Sequence, residues 1–190
     1  MLVSGGGSNL EALLAAKAAG QLPNAEFVLV VSSRAGVFAL ERARKYGVPS
    51  VVLERKAFAD EEGFQRAIED ALVRAKVEVV CLAGYLRMVG QNIIERYRGR
   101  ILNIHPALLP KYGGAGMYGH HVHEAVLAAG EKESGCSVHV VDEEFDHGPV
   151  LAQARVPVLP GDTPEQLAAR ILEQEHRLYP DVLRQFTENL

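Results

Sequence analysis

Five short, nearly continuous apolar runs punctuate the first hundred residues, and each is separated from the next by a stretch with helical spacing. The runs are Met1–Ser4, Ala25–Ser33, Val48–Leu53, Val77–Ala83 and Arg100–Ile104. The helical stretches begin near Ser8 and cover Val37–Tyr46, Ala59–Ala75 and Gln91–Tyr97. Strands that are apolar on both faces need a helical layer on each side, and strands separated by helices run parallel. The expected fold is therefore α/β, an open, mostly parallel Rossmann-like sheet with helices on both faces. After Pro110 the texture changes. Lys111–Gly119 is glycine-rich, His120–Gly130 reads as a helix, and Cys136–Val141 with Val150–Val158 reads as a C-terminal strand pair. Asp162-Thr-Pro-Glu165 opens a long last helix, with Thr163 or Asp162 as cap and Pro164 in the first turn. Pro180 should kink or break it.

A chain of 190 residues with 48% hydrophobic and 23% charged residues suits one globular domain, 1–190. A net charge of −4 gives no basis for a long nucleic-acid surface, and no apolar run is long enough to span a bilayer. Small-molecule substrates are expected, with no nucleic acid and no membrane, and a monomer or homodimer. Cys81 and Cys136 lack C-x-x-C spacing and lie in apolar strands, which reads as buried thiols in a reducing compartment. With no signal-peptide pattern at the start, the expected location is cytoplasmic.

The stretch richest in chemistry is Ile101-Leu-Asn-Ile-His-Pro-Ala-Leu-Leu-Pro110. Alternate residues of a strand share a face, so Asn103 and His105 project side by side. Pro106 and Pro110 end the strand just past His105, at the carboxyl edge where open α/β sheets bind ligands. An amide donor beside an imidazole suits a carbonyl carbon under attack, with an oxyanion to hold and a proton to move. The competing reading is a strand-end histidine that merely hydrogen-bonds a loop.

Ser4-Gly-Gly-Gly-Ser-Asn9 lies between a strand and a helix N-terminus, a place that favours a phosphate monoester. It is neither a Walker A loop nor a good dinucleotide motif, since no Gly-Lys-Ser/Thr follows and Leu10 replaces the third glycine. Val140-Val-Asp-Glu-Glu-Phe-Asp-His-Gly-Pro149 is an acidic loop. Asp146 in it gains a role only if the fold carries it to His105, where it would raise the imidazole's pKa and fix its orientation. On the last helix Leu167, Ile171, Glu175, Tyr179 and Leu183 form one stripe. Glu175 either reaches a ligand from that stripe or sits at its edge with its carboxylate in water. Gly119-His-His-Val-His123 imitates a metal site, but no further ligand follows at a usual spacing, so no metal is expected. These histidines are placed beside the active-site loop, His139 and His176 are expected to be structural, and His147 to flank the pocket.

Together these motifs resemble the phosphoribosylglycinamide formyltransferases, folate-dependent enzymes of purine synthesis. The similarity runs through Ser4–Leu10, Leu82-Ala-Gly-Tyr-Leu-Arg-Met88, Leu102–Tyr112, Ser137-Val-His139, Asp146-His-Gly-Pro149 and Gln174-Glu-His176. The resemblance implies a formyltransferase fold whose 1–100 half binds phosphate and whose 101–190 half carries catalysis and folate. It implies transfer of a formyl group from 10-formyltetrahydrofolate, as co-substrate, to the amine of 5'-phosphoribosylglycinamide, with no metal. Asn103, His105 and Asp146 would be catalytic, with Asn103 and a protonated His105 stabilising the oxyanion and Asp146 keeping His105 charged near neutrality; Gly7, Ser8, Asn9 and Glu175 would hold the ribonucleotide. Arg87, Met88, Val89 and the loop Asp142, Glu143, Glu144, Phe145 and Asp146, with Asn103, would line the folate pocket. The chain departs from the family pattern in three places. Its first strand begins about three residues late, which should weaken its pairing. Gly113–His121 is longer than usual, and Glu61 stands where relatives often carry a folate-contacting arginine.

Overall fold

A computed structural model describes all residues, 1–190. Seven strands form one sheet in the order β3-β2-β1-β4-β5-β6-β7. They are β1 (Leu2–Val3), β2 (Val30–Ser32), β3 (Ser50–Val52), β4 (Val80–Leu82), β5 (Ile101–His105), β6 (Glu133–Val140) and β7 (Val150–Pro157). The first five run parallel, and β6 and β7 add an antiparallel hairpin beside β5. Six α-helices connect or cover them: α1 (Ser8–Ala18), α2 (Phe38–Lys45), α3 (Glu61–Arg74), α4 (Gln91–Arg96), α5 (His120–Ala128) and α6 (Pro164–Glu188). No helix is long and apolar enough to cross a membrane.

The period-two alternation of the strands divides the core between the two faces. Val3, Cys81, Leu102 and Ile104 pack with α1, α2 and α6. Leu2, Val80, Leu82 and Ile101 point the other way, onto Phe64, Ile68 and Leu72 of α3 and Ile93 and Ile94 of α4. Asn103 and His105 follow the second set, as their spacing requires.

Two expectations need correction. The runs 25–33 and 77–83 are strand only from Val30 and Val80 onward. Their upstream parts have no β1 between them to pair with, and apolar character alone does not make a strand without a neighbour. Where β1 does run, it pairs on both sides: Val31 N–H bonds the Met1 carbonyl at 2.9 Å, and Ala83 N–H bonds that of Leu2 at 3.0 Å. The second correction is α6, which is not broken at Pro180 but runs on through it to Glu188. Tertiary burial overrides the local penalty there. Tyr179, fully buried just before the proline, donates its hydroxyl to the Leu82 and Leu102 carbonyls at 3.0 Å each, and Val182 and Leu183 are buried just after it. At its start Thr163 caps the helix, forming a reciprocal capping box with Gln166, while Asp162 instead pairs with Arg170.

Candidate active site

Strand order reverses between β1 and β4, and at such a switch point the loops leaving the strand ends splay apart to leave a crevice. Here it is a cavity of about 520 Å³ bounded by the segments after β1, β4 and β5, the β6–β7 loop, α5 and α6. A buried serine ties two of these segments to the one that follows β2. Ser4 Oγ lies 2.6 Å from Ser33 Oγ and accepts the Leu86 N–H at 3.0 Å.

On one wall, β5 presents Asn103 and His105, and its antiparallel pairing with β6 sets His139 opposite Asn103 and Ser137 opposite His105. Ser137 steadies the chain beyond β5: its hydroxyl donates to the Ala107 carbonyl at 2.7 Å and accepts the Leu109 N–H at 3.0 Å. Asp146 arrives from the β6–β7 loop. Asp142 shapes that loop by accepting the Glu144 N–H at 3.0 Å and contacting His147 Nδ1 at 3.1 Å. Gly148 passes so close to the Val140 carbonyl that an added Cβ would lie 1.9 Å from its oxygen. Asp146 itself has a φ of 54°, a conformation that asparagine and aspartate tolerate better than most residues.

The result is a connected polar network. His105 Nδ1 lies 3.5 Å from Asp146 Oδ2, and His105 Nε2–H donates to the Tyr112 carbonyl at 2.7 Å. Asn103 Nδ2 donates to His139 Nε2 at 3.0 Å and, more weakly, to Asp146 Oδ1 at 3.4 Å. His139 Nδ1–H faces the Val140 carbonyl at 3.1 Å, which leaves Nε2 as the acceptor. Gly114 N–H completes the shell around Asp146 at 3.1 Å.

Burial alone would raise the Asp146 pKa, but the His139 and His105 rings beside it and the Gly114 N–H together hold it below the ordinary carboxylate value. His105 moves down as well. Its desolvation outweighs the opposing influence of Asp146 and the Tyr112 carbonyl, so the expectation of an imidazole kept charged near neutrality is corrected. His105 rests neutral, with an ionised carboxylate beside it.

At the other end of the cavity, α1 and α6 face each other. Gly7 precedes α1 with a φ of 73°, and a Cβ there would lie 2.7 Å from the Ala39 Cβ. Only glycine allows α2 this close and turns the chain so that the first N–H groups of α1 are left without helical partners. Ser8 and Asn9 line the cavity, whereas Gly7 does not. Glu175 is on the buried stripe of α6 rather than at its edge, and receives one hydrogen bond, from Asn9 Nδ2 at 2.7 Å. Burial raises its pKa, with Asn9 opposing. Asn9 Oδ1 is buried with no partner at all.

The expected folate-lining residues divide. Arg87, Met88, Val89, Asp142, Glu144, Phe145 and Asp146 line the cavity with Asn103. Glu143 does not; it lies in an adjoining groove and pairs with Arg98 at 3.0 Å. Glu61 holds both Arg87 and Arg55, at 3.0 and 2.8 Å. His147 is exposed and tied to Asp142 rather than flanking the cavity. No group of three or more His, Cys, Asp or Glu side chains is arranged to hold a metal ion. His139, expected to be structural, is part of the site. The signal that could have found it is Ser137-Val-His139, which matches the alternation of Asn103-Ile-His105 once the two strands are paired antiparallel.

Comparison with known proteins identifies the family. Residues 1–183 match the family model described as formyl transferase. The chain is 47% identical over 184 residues to the trifunctional purine biosynthetic protein adenosine-3 of Drosophila pseudoobscura pseudoobscura, covering 96% of this chain and only 13% of that protein. It is 39% identical to the phosphoribosylglycinamide formyltransferase of Haemophilus influenzae, covering 99% of this chain and 86% of that one. The crystal structure of glycinamide ribonucleotide transformylase 1 from Symbiobacterium toebii superposes with a TM-score of 0.94 at 41% identity, over 99% of this chain and 86% of that one. The polar network at the end of β5, set in a sheet of this topology, belongs to a protein of the formyl transferase family.

Proposed function

We propose that this protein transfers the formyl group of 10-formyltetrahydrofolate to the amine of 5'-phosphoribosylglycinamide, giving the formylglycinamide ribonucleotide of purine (IMP) biosynthesis. The observation that carries this reading is that one cavity joins three elements: the α1 N-terminus with Glu175, the Asn103–His105–Asp146 network, and the wall formed by Arg87–Val89 and the β6–β7 loop. A phosphorylated acceptor and a flat donor can lie in it end to end, with the reacting atoms at the network. Residues 1–100 supply the phosphate-holding loop and the Arg87–Val89 wall, and 101–190 the catalytic network, the β6–β7 loop and Glu175.

Ser8 and Asn9 receive the phosphate at the positive end of α1, and Glu175 takes the ribose or glycinamide end. As the amine attacks, a C–N bond forms at the formyl carbon and the bond from that carbon to folate N10 breaks. The weaker Asn103 N–H, 3.4 Å from Asp146, is the donor offered to the oxygen on which charge develops. Neutral His105 is suited to take up the amine's proton, and Asp146 favours the imidazolium that forms. The proton leaves with N10. No side chain forms a covalent intermediate; both cysteines are buried, and burial pushes the thiol of Cys136 up to about 12.

The test mixes the protein with 10-formyltetrahydrofolate and follows tetrahydrofolate release by absorbance, with and without the ribonucleotide. Release that requires the ribonucleotide supports the transferase. Equal release without it makes water the acceptor and replaces this reading with a deformylase.

A further inference from the structure

Helix α5 carries histidines at positions 120, 121 and 123, and they separate cleanly. His120 and His121 are on the surface, within 3.3 and 3.4 Å of Glu124. His123 turns inward. It is 5% exposed, and it lines the cavity together with Ser8, Asn9, Glu175 and His105. It makes no hydrogen bond within the protein. Nδ1 is fully buried without a partner, whereas Nε2 is the ring nitrogen that keeps accessible surface. Burial, with His120 and His105 nearby, lowers its pKa, so the ring is neutral near pH 7.

A neutral imidazole carries one N–H. A buried N–H with no acceptor is the rarer and costlier defect, so the proton belongs on Nε2, the nitrogen open to the cavity. The neighbouring groups at this end are acceptors: Asn9 Oδ1 lacks a donor, and Glu175 has one. They suit the hydroxyls and amine of a ribonucleotide and leave its oxygens beyond the phosphate without a donor of their own. We infer that His123 is a further substrate-binding residue, donating its Nε2–H to an acceptor oxygen of the bound glycinamide ribonucleotide near the amine. This rests on the transferase reading above.

The test is calorimetric titration of the ribonucleotide into wild type, His123→Ala and His123→Gln, with steady-state KM for both substrates and a thermal melt of each protein. One neutral hydrogen bond predicts about 5- to 10-fold weaker ribonucleotide binding in His123→Ala, with the folate KM unchanged. Glutamine can place an amide N–H where Nε2 sits, so His123→Gln should bind within about threefold of wild type. Unaltered affinity in His123→Ala would overturn the inference. So would loss of affinity for both substrates in both variants with a lowered melting temperature, because that marks a packing role. Wild type that binds folate but not the ribonucleotide would overturn the transferase reading and this inference with it.

Discussion

The two ends of the cavity solve the problem of a buried carboxylate in opposite ways. Asp146 receives N–H groups from Asn103 and Gly114 and lies against the His105 and His139 rings, and its pKa is lowered. Glu175 has one donor, Asn9, and its pKa is raised. The first end is satisfied within the protein and holds its geometry before any ligand arrives, which is what electrostatic stabilisation of developing charge requires. The second leaves Asn9 Oδ1 without a donor and the accessible Nε2 of His123 without a partner, which suits it to a ligand. In the proposed reaction the first end serves the chemistry and the second the recognition of the acceptor.

The largest effects should come from breaking the first end. His105→Ala or Asp146→Asn should lower kcat by about 10²-fold or more, with circular dichroism unchanged. Near-normal turnover in either variant would remove that residue from the mechanism. His139→Ala should cost less, about tenfold in kcat, because it frees the Asn103 amide without deleting it. At the other end, Glu175→Gln should raise the ribonucleotide KM about 10- to 100-fold while the folate KM holds, as loss of charged hydrogen bonds implies. The smallest effect sharpens the contrast through pH. A raised folded-state pKa means that the native protein holds its proton more tightly than the unfolded chain does. That contribution is present below the ordinary value of 4.5 and is lost as pH rises through the folded pKa. The melting temperature of Glu175→Gln should therefore gain on wild type as pH rises above 4.5. Asp146 has the opposite sign: its lowered pKa stabilises the fold above the ordinary 3.8 and that stability is lost as pH falls through the folded value. Asp146→Asn should accordingly lose on wild type at neutral pH and recover in acid.

Much of this was readable from local pattern. Strand–helix alternation is set by nearest neighbours, and the pairing of Asn103 with His105 follows from a two-residue period. The stripe through Glu175 follows from the helical one. What resisted was set by partners distant in sequence. The strand lengths at 25–33 and 77–83 depend on where β1 runs between them. Continuity through Pro180 depends on Tyr179 reaching carbonyls of β4 and β5. The role of His139 depends on the β5–β6 register. The sign of the His105 shift required knowing how deeply the ring is buried, since the carboxylate beside it pulls the other way.

The most direct test of the division between the two ends is titration of the ribonucleotide into Asp146→Asn, alongside its turnover. The account predicts wild-type affinity with kcat reduced by about 10²-fold or more. Affinity that falls in parallel with turnover would contradict it, because the network at β5 would then be holding the acceptor rather than carrying out the transfer.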